Sequence, residues 1–282
     1  MEIKIAPHAG FCFGVRRAVD VAEKALESGH KVYCMGSLIH NQQVIEKLEQ
    51  KGLVTIKDPA EIPAGSVFLV RSHGIDPKIV DNIIMRGGEI LDATCPFVRR
   101  AQLVAEKFHK DGFDVIICGD PQHAEVIGIN AWTNNAAKII HDANEVKNLK
   151  FKDKVGVLSQ TTQKKELLDS VAKELVKKTK NIFVENTICL DSSTKQAEVS
   201  ELAKVVELMI VIGGKNSSNT GKLVQLSEAQ KTRTLHIETA QELEPEWFDG
   251  VRKVGIAAGA STAQFLIDEA VDRIKSLCYD TA

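Results

Sequence analysis

The 282-residue sequence has little that would direct the protein to nucleic acid or to a membrane. Its 36 Lys and Arg residues are balanced by 38 Asp and Glu residues, and a net charge of −2 argues against a nucleic-acid footprint. No apolar run reaches the roughly 18 residues that a membrane-spanning helix needs. The N-terminus alternates like a strand and shows no signal peptide, so we expect a cytoplasmic location.

Several binding motifs are also missing. The sequence has no Walker loop, no Asp-rich magnesium motif and no G-x-G-x-x-G fingerprint, and no Gly/Ser-rich linker separates its parts. Six cysteines in a chain without a secretion signal are expected to be thiols, metal ligands or catalytic groups rather than disulfides. The chemistry is therefore to be sought among cysteine, histidine and hydroxyl side chains.

Short β-branched runs alternate with amphipathic segments along the whole chain, which predicts an α/β fold with parallel sheets and right-handed crossovers. The predicted strands are 2–6, 31–35, 67–70, 89–92, 113–118, 154–158, 181–184, 208–212, 234–237 and 253–257. The predicted helices are 14–27, 42–50, 77–85, 98–110, 164–179, 198–206, 222–229 and 262–275. In such folds, sites collect in the loops beyond the carboxyl ends of strands.

Three cysteines are each separated by the same number of residues from a later polar residue. Each is followed 28 residues later by a polar residue: Cys12 by His40, Cys95 by His123 and Cys189 by Ser217. This repetition indicates three related units, each contributing one sulfur and one polar group to a shared place. We expect three small α/β domains, 14–96, 97–192 and 193–282, in a pseudo-threefold (trefoil) arrangement. The N-terminal segment 1–13 is expected to join the third domain, and its strand to pair there.

Three well-separated cysteines in strand-to-helix turns favour a metal centre. Thiolates suit iron–sulfur clusters and zinc, but the paired C-x2-C knuckles of a zinc ribbon are absent. A four-iron cluster held by Cys12, Cys95 and Cys189 would leave one iron for a substrate oxygen. Two alternatives stay open: a hydro-lyase that uses such a cluster without electrons, and a non-catalytic protein with a structural three-cysteine site.

Polar residues in the loops after strands predict an anion pocket. A single loop histidine is usually a surface residue, and a single Ser or Thr is usually a helix cap. Together they describe neutral donors suited to a diphosphate bound without magnesium. The residues concerned are His40, His73, His123, Thr161, Ser217, Ser218, Asn219 and Ser261. Glu125, two residues after His123, is a candidate general acid.

Seven segments together resemble the family of 4-hydroxy-3-methylbut-2-enyl diphosphate reductase, also called LytB. They cover nearly the whole chain in the family's order and are 10–15, 71–74, 92–96, 159–162, 186–189, 215–219 and 258–262. Three positions differ from the family's pattern: Ala124 and Ala263 replace a common proline, and Lys195 replaces a common arginine.

The resemblance implies a three-lobed α/β protein around a central [4Fe-4S] cluster. It implies the last step of the non-mevalonate pathway, in which an allylic diphosphate takes up two electrons and two protons and loses water. Isopentenyl and dimethylallyl diphosphate are the implied products. Since no flavin or nicotinamide motif is visible, electrons are expected from an external ferredoxin or flavodoxin.

The resemblance also implies residue roles. Cys12, Cys95 and Cys189 would bind the cluster. Glu125, with Thr161 and His123 beside it, would deliver protons. The diphosphate would be held by His40, His73, His123, Ser217, Ser218, Asn219 and Ser261.

Overall fold

A computed structural model describes residues 1–29, 31–151 and 153–279. The strands in these residues are β1 (Glu2–Ile5), β2 (Val32–Met35), β3 (Leu53–Ile56), β4 (Val67–Val70), β5 (Glu89–Asp92), β6 (Asp114–Cys118), β7 (Lys138–Ile140), β8 (Lys154–Ser159), β9 (Asn181–Val184), β10 (Leu208–Ile212), β11 (Arg233–Ile237) and β12 (Lys253–Ala258). The α-helices are α1 (Phe13–Leu26), α2 (Gln42–Gln50), α3 (Pro77–Met85), α4 (Pro96–Lys110), α5 (Ala124–Ala131), α6 (Lys165–Val176), α7 (Leu190–Ala203), α8 (Ser218–Glu228) and α9 (Gln264–Tyr279).

The strands form three four-stranded sheets, and the paired strands within each sheet are parallel. Their orders are β3-β2-β4-β5, β7-β6-β8-β9 and β11-β10-β12-β1. This confirms the predicted α/β class.

The three sheets share one layout in which the strand before each proposed ligand cysteine lies at a sheet edge. Two sheets are completed by the next strand in the chain, β5 or β9. The third is completed by the N-terminal strand, since β1 pairs with β12 from Glu2 opposite Lys253 to Ile5 opposite Ile256. The expected pairing of the N-terminal strand is therefore confirmed.

The described chain divides into two compact units. One comprises residues 1–15, 40–44 and the described residues from 190 onward, and it contains the sheet β11-β10-β12-β1. The other comprises 16–39 and 45–189 and contains the remaining two sheets. Each domain predicted from the sequence encloses one sheet, apart from β1. The boundaries themselves stay a prediction, and residues 280–282 of the third domain lie outside the described residues.

Each unit has its own apolar core. In the first, the fully buried strand β10 packs with α9, whose Leu266, Ile267, Ala270 and Ile274 share one helical face. In the second, one core lies under β6 and β8 and includes Leu168 and Val171 of α6, and another surrounds β4. Among the described residues, no helix is both long enough and apolar enough to cross a membrane.

Some predicted elements need correction. The strands β3 and β7 and the helix α5 were not predicted. The helix predicted at 198–206 begins eight residues earlier, at Leu190, and the one predicted at 222–229 begins at Ser218. Both missed starts are polar, so the apolar spacing that indicates a helix does not extend over them.

Candidate active site

The three proposed ligand cysteines occupy the same local position. Each directly precedes the first residue of a helix: Cys12 before α1, Cys95 before α4 and Cys189 before α7. Each backbone amide donates to a carbonyl in the loop after the neighbouring strand: Cys12 to Ala260 at 3.0 Å, Cys95 to Ser72 at 3.0 Å and Cys189 to Thr161 at 2.8 Å. The sheet layout thus ties each cysteine to a loop that carries a predicted substrate residue.

These positions suit thiolates. The Cys12 sulfur accepts the Val15 amide at 3.4 Å, and amides at a helix N-terminus favour negative charge. Cys34 and Cys118 differ, because burial raises the pKa of each thiol to about 12 and keeps it protonated. No disulfide forms among the described cysteines. The sulfur donors therefore fit an iron–sulfur cluster at the three positions predicted from the sequence.

No three His, Cys, Asp or Glu side chains in the described ranges are grouped closely enough to hold one metal ion. A single zinc ion needs all its ligands in one coordination sphere, whereas each thiolate of a four-iron cluster binds a different iron.

Two arginines that were not predicted hold the loop before Cys95. Arg17 donates to the backbone oxygens of Asp92 at 3.0 Å and Thr94 at 3.3 Å. Arg99 donates to the Asp92 carboxylate at 2.5 Å. Burial alone would raise the pKa of Asp92, but hydrogen bonds from Thr94 and the interaction with Arg99 outweigh it and lower the pKa. The only sequence signal was the Arg-Arg pair that follows both Cys12 and Cys95.

In the second unit, four predicted residues form a connected row. The rings of His73 and His123 meet edge to face with centroids 5.7 Å apart. His123 caps α5, and its Nδ1 accepts the Glu125 amide at 3.2 Å. The buried Glu125 carboxylate accepts the Thr161 amide at 2.5 Å and the Thr161 hydroxyl at 2.9 Å. Because Thr161 also accepts the Cys189 amide, the row ends at a proposed cluster ligand.

The turn that carries His73 depends on a glycine. Gly74 has φ +72°, and a Cβ there would lie 2.1 Å from the Gln102 Nε2 atom. We expect Gly74→Ala to lower the free energy of unfolding by about 2–5 kcal/mol, the sum of left-handed strain and overpacking. Urea unfolding midpoints measure the loss.

Gly65 provides a matched control for Gly74. Its φ is also +72°, but nothing lies within 4 Å of an added Cβ. Gly65→Ala should therefore lose only the backbone part, about 1–2 kcal/mol. Equal losses at the two positions would show that contact with Gln102 does not constrain the His73 turn.

In the first unit, the loop after β10 holds the predicted hydroxyl and amide residues. Ser217 caps α8 by accepting the Thr220 amide at 3.3 Å, and Ser218 begins that helix. A Cβ on Gly214 would lie 2.8 Å from the His40 carbonyl oxygen, so the His40 backbone packs directly on this loop. Ser261 is half-buried in the loop after β12, next to the carbonyl that accepts the Cys12 amide.

Asn219 stands out in this loop. The residue is 4% exposed, and neither its Oδ1 nor its Nδ2 has a hydrogen-bond partner among the described residues. Buried amides are almost always paired, because an unmade hydrogen bond costs about 1–3 kcal/mol. A polar group kept unpaired at a helix start indicates a ligand that completes it.

With this geometry established, comparisons with known proteins decide the family. The family model described as "LytB protein" matches residues 3–275. The chain belongs to the LytB family. It is 43% identical over 275 residues to 4-hydroxy-3-methylbut-2-enyl diphosphate reductase of Geobacter sulfurreducens, covering 98% of this chain and 97% of the relative. It is 41% identical over 281 residues to the protein of that name from Caldanaerobacter subterraneus, covering 98% of each.

Solved structures agree with this assignment. The E-1-hydroxy-2-methyl-but-2-enyl-4-diphosphate reductase of Plasmodium falciparum matches with a TM-score of 0.92 at 27% identity, covering 96% of this LytB-family chain and 87% of that one. The resemblance inferred from the seven segments is therefore confirmed.

The three departures from the family's pattern are structurally mild. Ala124 is the first residue of α5, a position where proline would only preset the backbone. Ala263 is buried just before α9. The buried Lys195 contacts the Asp191 carboxylate at 2.8 Å, so its charge is balanced within α7.

Proposed function

We propose that this chain reduces 4-hydroxy-3-methylbut-2-enyl diphosphate to isopentenyl and dimethylallyl diphosphate. Relatives that bear the name of this reductase match over almost their full length. A further solved relative, 40% identical, is described as the terminal enzyme of the non-mevalonate pathway. The observation that carries the proposal is the row from His73 through His123 and Glu125 to Thr161, which ends at Cys189.

Cys12, Cys95 and Cys189 are the proposed ligands of one [4Fe-4S] cluster. The three cysteines form no disulfide and each directly precedes a helix, so they can supply the thiolate donors that such a cluster needs. When bound, a cluster with three protein thiolates supplies electrons and leaves one iron without a protein ligand. The role of the chain is to hold the cysteine loops in place. Hydrogen bonds from the backbone N–H of each cysteine do this, and their acceptors are the carbonyl oxygens of Ser72, Thr161 and Ala260.

Glu125 and Thr161 are the proposed proton-delivery pair. The reaction adds two electrons and two protons, breaks the allylic carbon–oxygen bond and releases water. The buried Glu125 is held by two hydrogen bonds from Thr161, so its carboxyl group has a fixed orientation. The Thr161 hydroxyl can orient the substrate alcohol and pass a proton between it and Glu125.

The proposed diphosphate site combines loops at the carboxyl ends of strands. Its members are His40, His73, His123, Ser217, Ser218, Asn219 and Ser261. Hydroxyl, amide and imidazole N–H groups can donate hydrogen bonds to phosphate oxygens without a metal. The first turn of α8 adds backbone N–H donors. The unpaired Asn219 amide supports this assignment, because a diphosphate oxygen can accept its N–H.

Asn219 gives a prediction in which stability and binding change in opposite directions. Asn219→Leu removes an unpaired buried amide, so the ligand-free protein should gain about 1–3 kcal/mol in free energy of unfolding. The same change should weaken inorganic diphosphate binding about tenfold or more, because a charge-assisted hydrogen bond is lost. Urea unfolding and calorimetric titration measure the two effects.

Asn41 is the matched control. It is also 4% exposed, but its Oδ1 accepts the Val44 amide at 3.0 Å at the start of α2. Asn41→Leu should therefore destabilise the protein by about 0.5–2 kcal/mol through loss of a cap. A destabilised Asn219→Leu variant with unchanged diphosphate affinity would contradict the assignment of Asn219.

Donor dependence tests the reaction class. Oxygen-free protein should convert the allylic diphosphate only when a reduced donor is present. Turnover without any donor would instead support the hydro-lyase alternative. The physiological donor is proposed to be a ferredoxin or flavodoxin, and a cytoplasmic location stays part of the proposal on the sequence alone.

A further inference from the structure

The helix α4 presents an exposed face that begins two residues after Cys95. Its members recur every three or four residues, so they lie along one side of the helix. They are Phe97, Arg100, Leu103, Lys107 and Lys110, and are called here the α4 face. Phe97 is 38% exposed and Leu103 is 49% exposed, although both are large apolar side chains. Exposed apolar residues grouped in this way indicate an interaction surface.

The charge of α4 indicates the kind of partner. The helix carries four Arg and Lys side chains and one glutamate, while the whole chain has a net charge of −2. Its first turn has no acidic residue, although the helix dipole favours one there. The helix that follows Cys189 has the opposite balance, with three acidic side chains and one lysine. An acidic partner would therefore be attracted to α4 rather than to α7.

Local ion pairs do not prevent the basic side chains of the α4 face from binding a partner. Each basic side chain of the α4 face has one carboxylate neighbour: Arg100 lies 3.6 Å from Glu185, Lys107 lies 2.5 Å from Asp111 and Lys110 lies 2.7 Å from Glu106. Exposed pairs of this kind contribute at most about 1 kcal/mol, so carboxylates of a partner can replace them at small cost. The face thus offers apolar contact close to Cys95 and basic contact further along the helix.

We infer that the α4 face is the docking surface for an acidic one-electron carrier protein. The inference rests on the proposed function, because a reductase must receive two electrons from outside. Two reduced carriers each give up one electron, and the substrate gains two electrons and two protons and releases water. Docking on the α4 face would place the carrier beside Phe97, two residues from the proposed cluster ligand Cys95.

Charge reversal on the α4 face tests this inference. In cluster-loaded protein, Arg100→Glu combined with Lys107→Glu should raise the apparent KM for a reduced acidic ferredoxin about tenfold or more and weaken its salt dependence. Turnover with dithionite-reduced methyl viologen should stay within about twofold of the unsubstituted protein, since a small donor needs no docking surface. Circular dichroism checks that the variant is folded.

The helix α6 provides the matched control. Lys165 is 63% exposed and lies 2.6 Å from Asp169, much as Lys107 is 73% exposed and pairs with Asp111. Lys173 is a second exposed lysine on the same helix. Lys165→Glu combined with Lys173→Glu should leave the KM for ferredoxin unchanged. An equal increase in both double variants, or none in the α4 variant, would overturn the inference.

Failure of the proposed function would have a different signature. The unsubstituted protein would then fail to convert the allylic diphosphate, whether ferredoxin or methyl viologen is the electron donor. Calorimetric titration of oxygen-free protein with ferredoxin would still test the α4 face. Binding lost in the α4 variant and kept in the α6 variant supports docking, and equal affinities for the two variants contradict it.

Discussion

Cys95→Ser is expected to lose both the cluster and the reductase activity. Iron should fall from about four per chain to below about one, because a serine oxygen is a poor ligand for cluster iron. Turnover of the allylic diphosphate should fall to background with any donor. Anaerobic iron and sulfide analysis, with the brown absorption of the protein, measures the loss. The position is demanding because the Cys95 backbone N–H donates a hydrogen bond to the Ser72 carbonyl oxygen and Cys95 directly precedes α4.

Cys118→Ala separates this effect from a general loss of thiols. Cys118 is fully buried, and burial raises its pKa to about 12, so it is a protonated core residue. The variant should keep its iron and its turnover and lose about 1 kcal/mol in free energy of unfolding. If Cys95→Ser kept four irons per chain, or if both variants lost them equally, the ligand assignment of Cys95 would be wrong.

Glu125→Gln is expected to lower kcat about 10²- to 10⁴-fold, the range typical of a lost general acid. The glutamine keeps the volume of the side chain and can still accept a hydrogen bond from Thr161, but it cannot deliver a proton. Iron content and the KM for substrate should change little. Steady-state turnover with reduced methyl viologen measures kcat, and iron analysis of the same sample checks that the cluster is retained.

Two substitutions of Thr161 distinguish a role in proton relay from a role in packing alone. The side chain is buried, and its hydroxyl donates to Glu125 at 2.9 Å. Thr161→Ser keeps the hydroxyl, so kcat should stay within about tenfold of the unsubstituted protein, whereas Thr161→Val should fall by about 10² or more. Equal kcat values for these two variants, or a near-normal kcat for Glu125→Gln, would remove the proposed relay.

The sequence predicted the α/β class because the strongly periodic helices and strands can be identified from their own residues, without information on their neighbours. The helices α2 and α3 occur at the residues predicted for them, since each has a clear apolar face. The helix α5 was missed because it is short, contains Gly128 and is buried on several sides, so it has no polar face to set the period. A Cβ at Gly128 would lie 3.2 Å from the His73 carbonyl oxygen, a tight contact that would press on the His73 backbone.

The missed strands share a position in the fold. Both β3 and β7 are short strands at sheet edges. Edge position alone does not explain the miss, since the edge strands β1, β5 and β9 were predicted. A run of only three or four residues carries too little periodicity to identify a strand. The hydrogen bonds inside a sheet, which the sequence does not display, decide that these segments are extended.

The candidate site divides in the same way. The repeated spacing marks Cys12, Cys95 and Cys189 as candidates, and the positions of the polar residues in loops after strands mark them as well. The LytB resemblance then implied their individual roles. The contacts of Arg17 and Arg99 with the loop at 92–94 could not be found, since they depend on how α1 and α4 pack beside β5. Nor could the unpaired state of Asn219 be read from sequence, because it depends on what surrounds the amide.

The most direct test of the central claim is metal and sulfide analysis of protein purified without oxygen. A cluster bound by Cys12, Cys95 and Cys189 requires about four irons and about four sulfides per chain, in protein that is brown. Colourless protein that contains zinc, has no acid-labile sulfide and cannot be loaded with iron and sulfide would contradict the account.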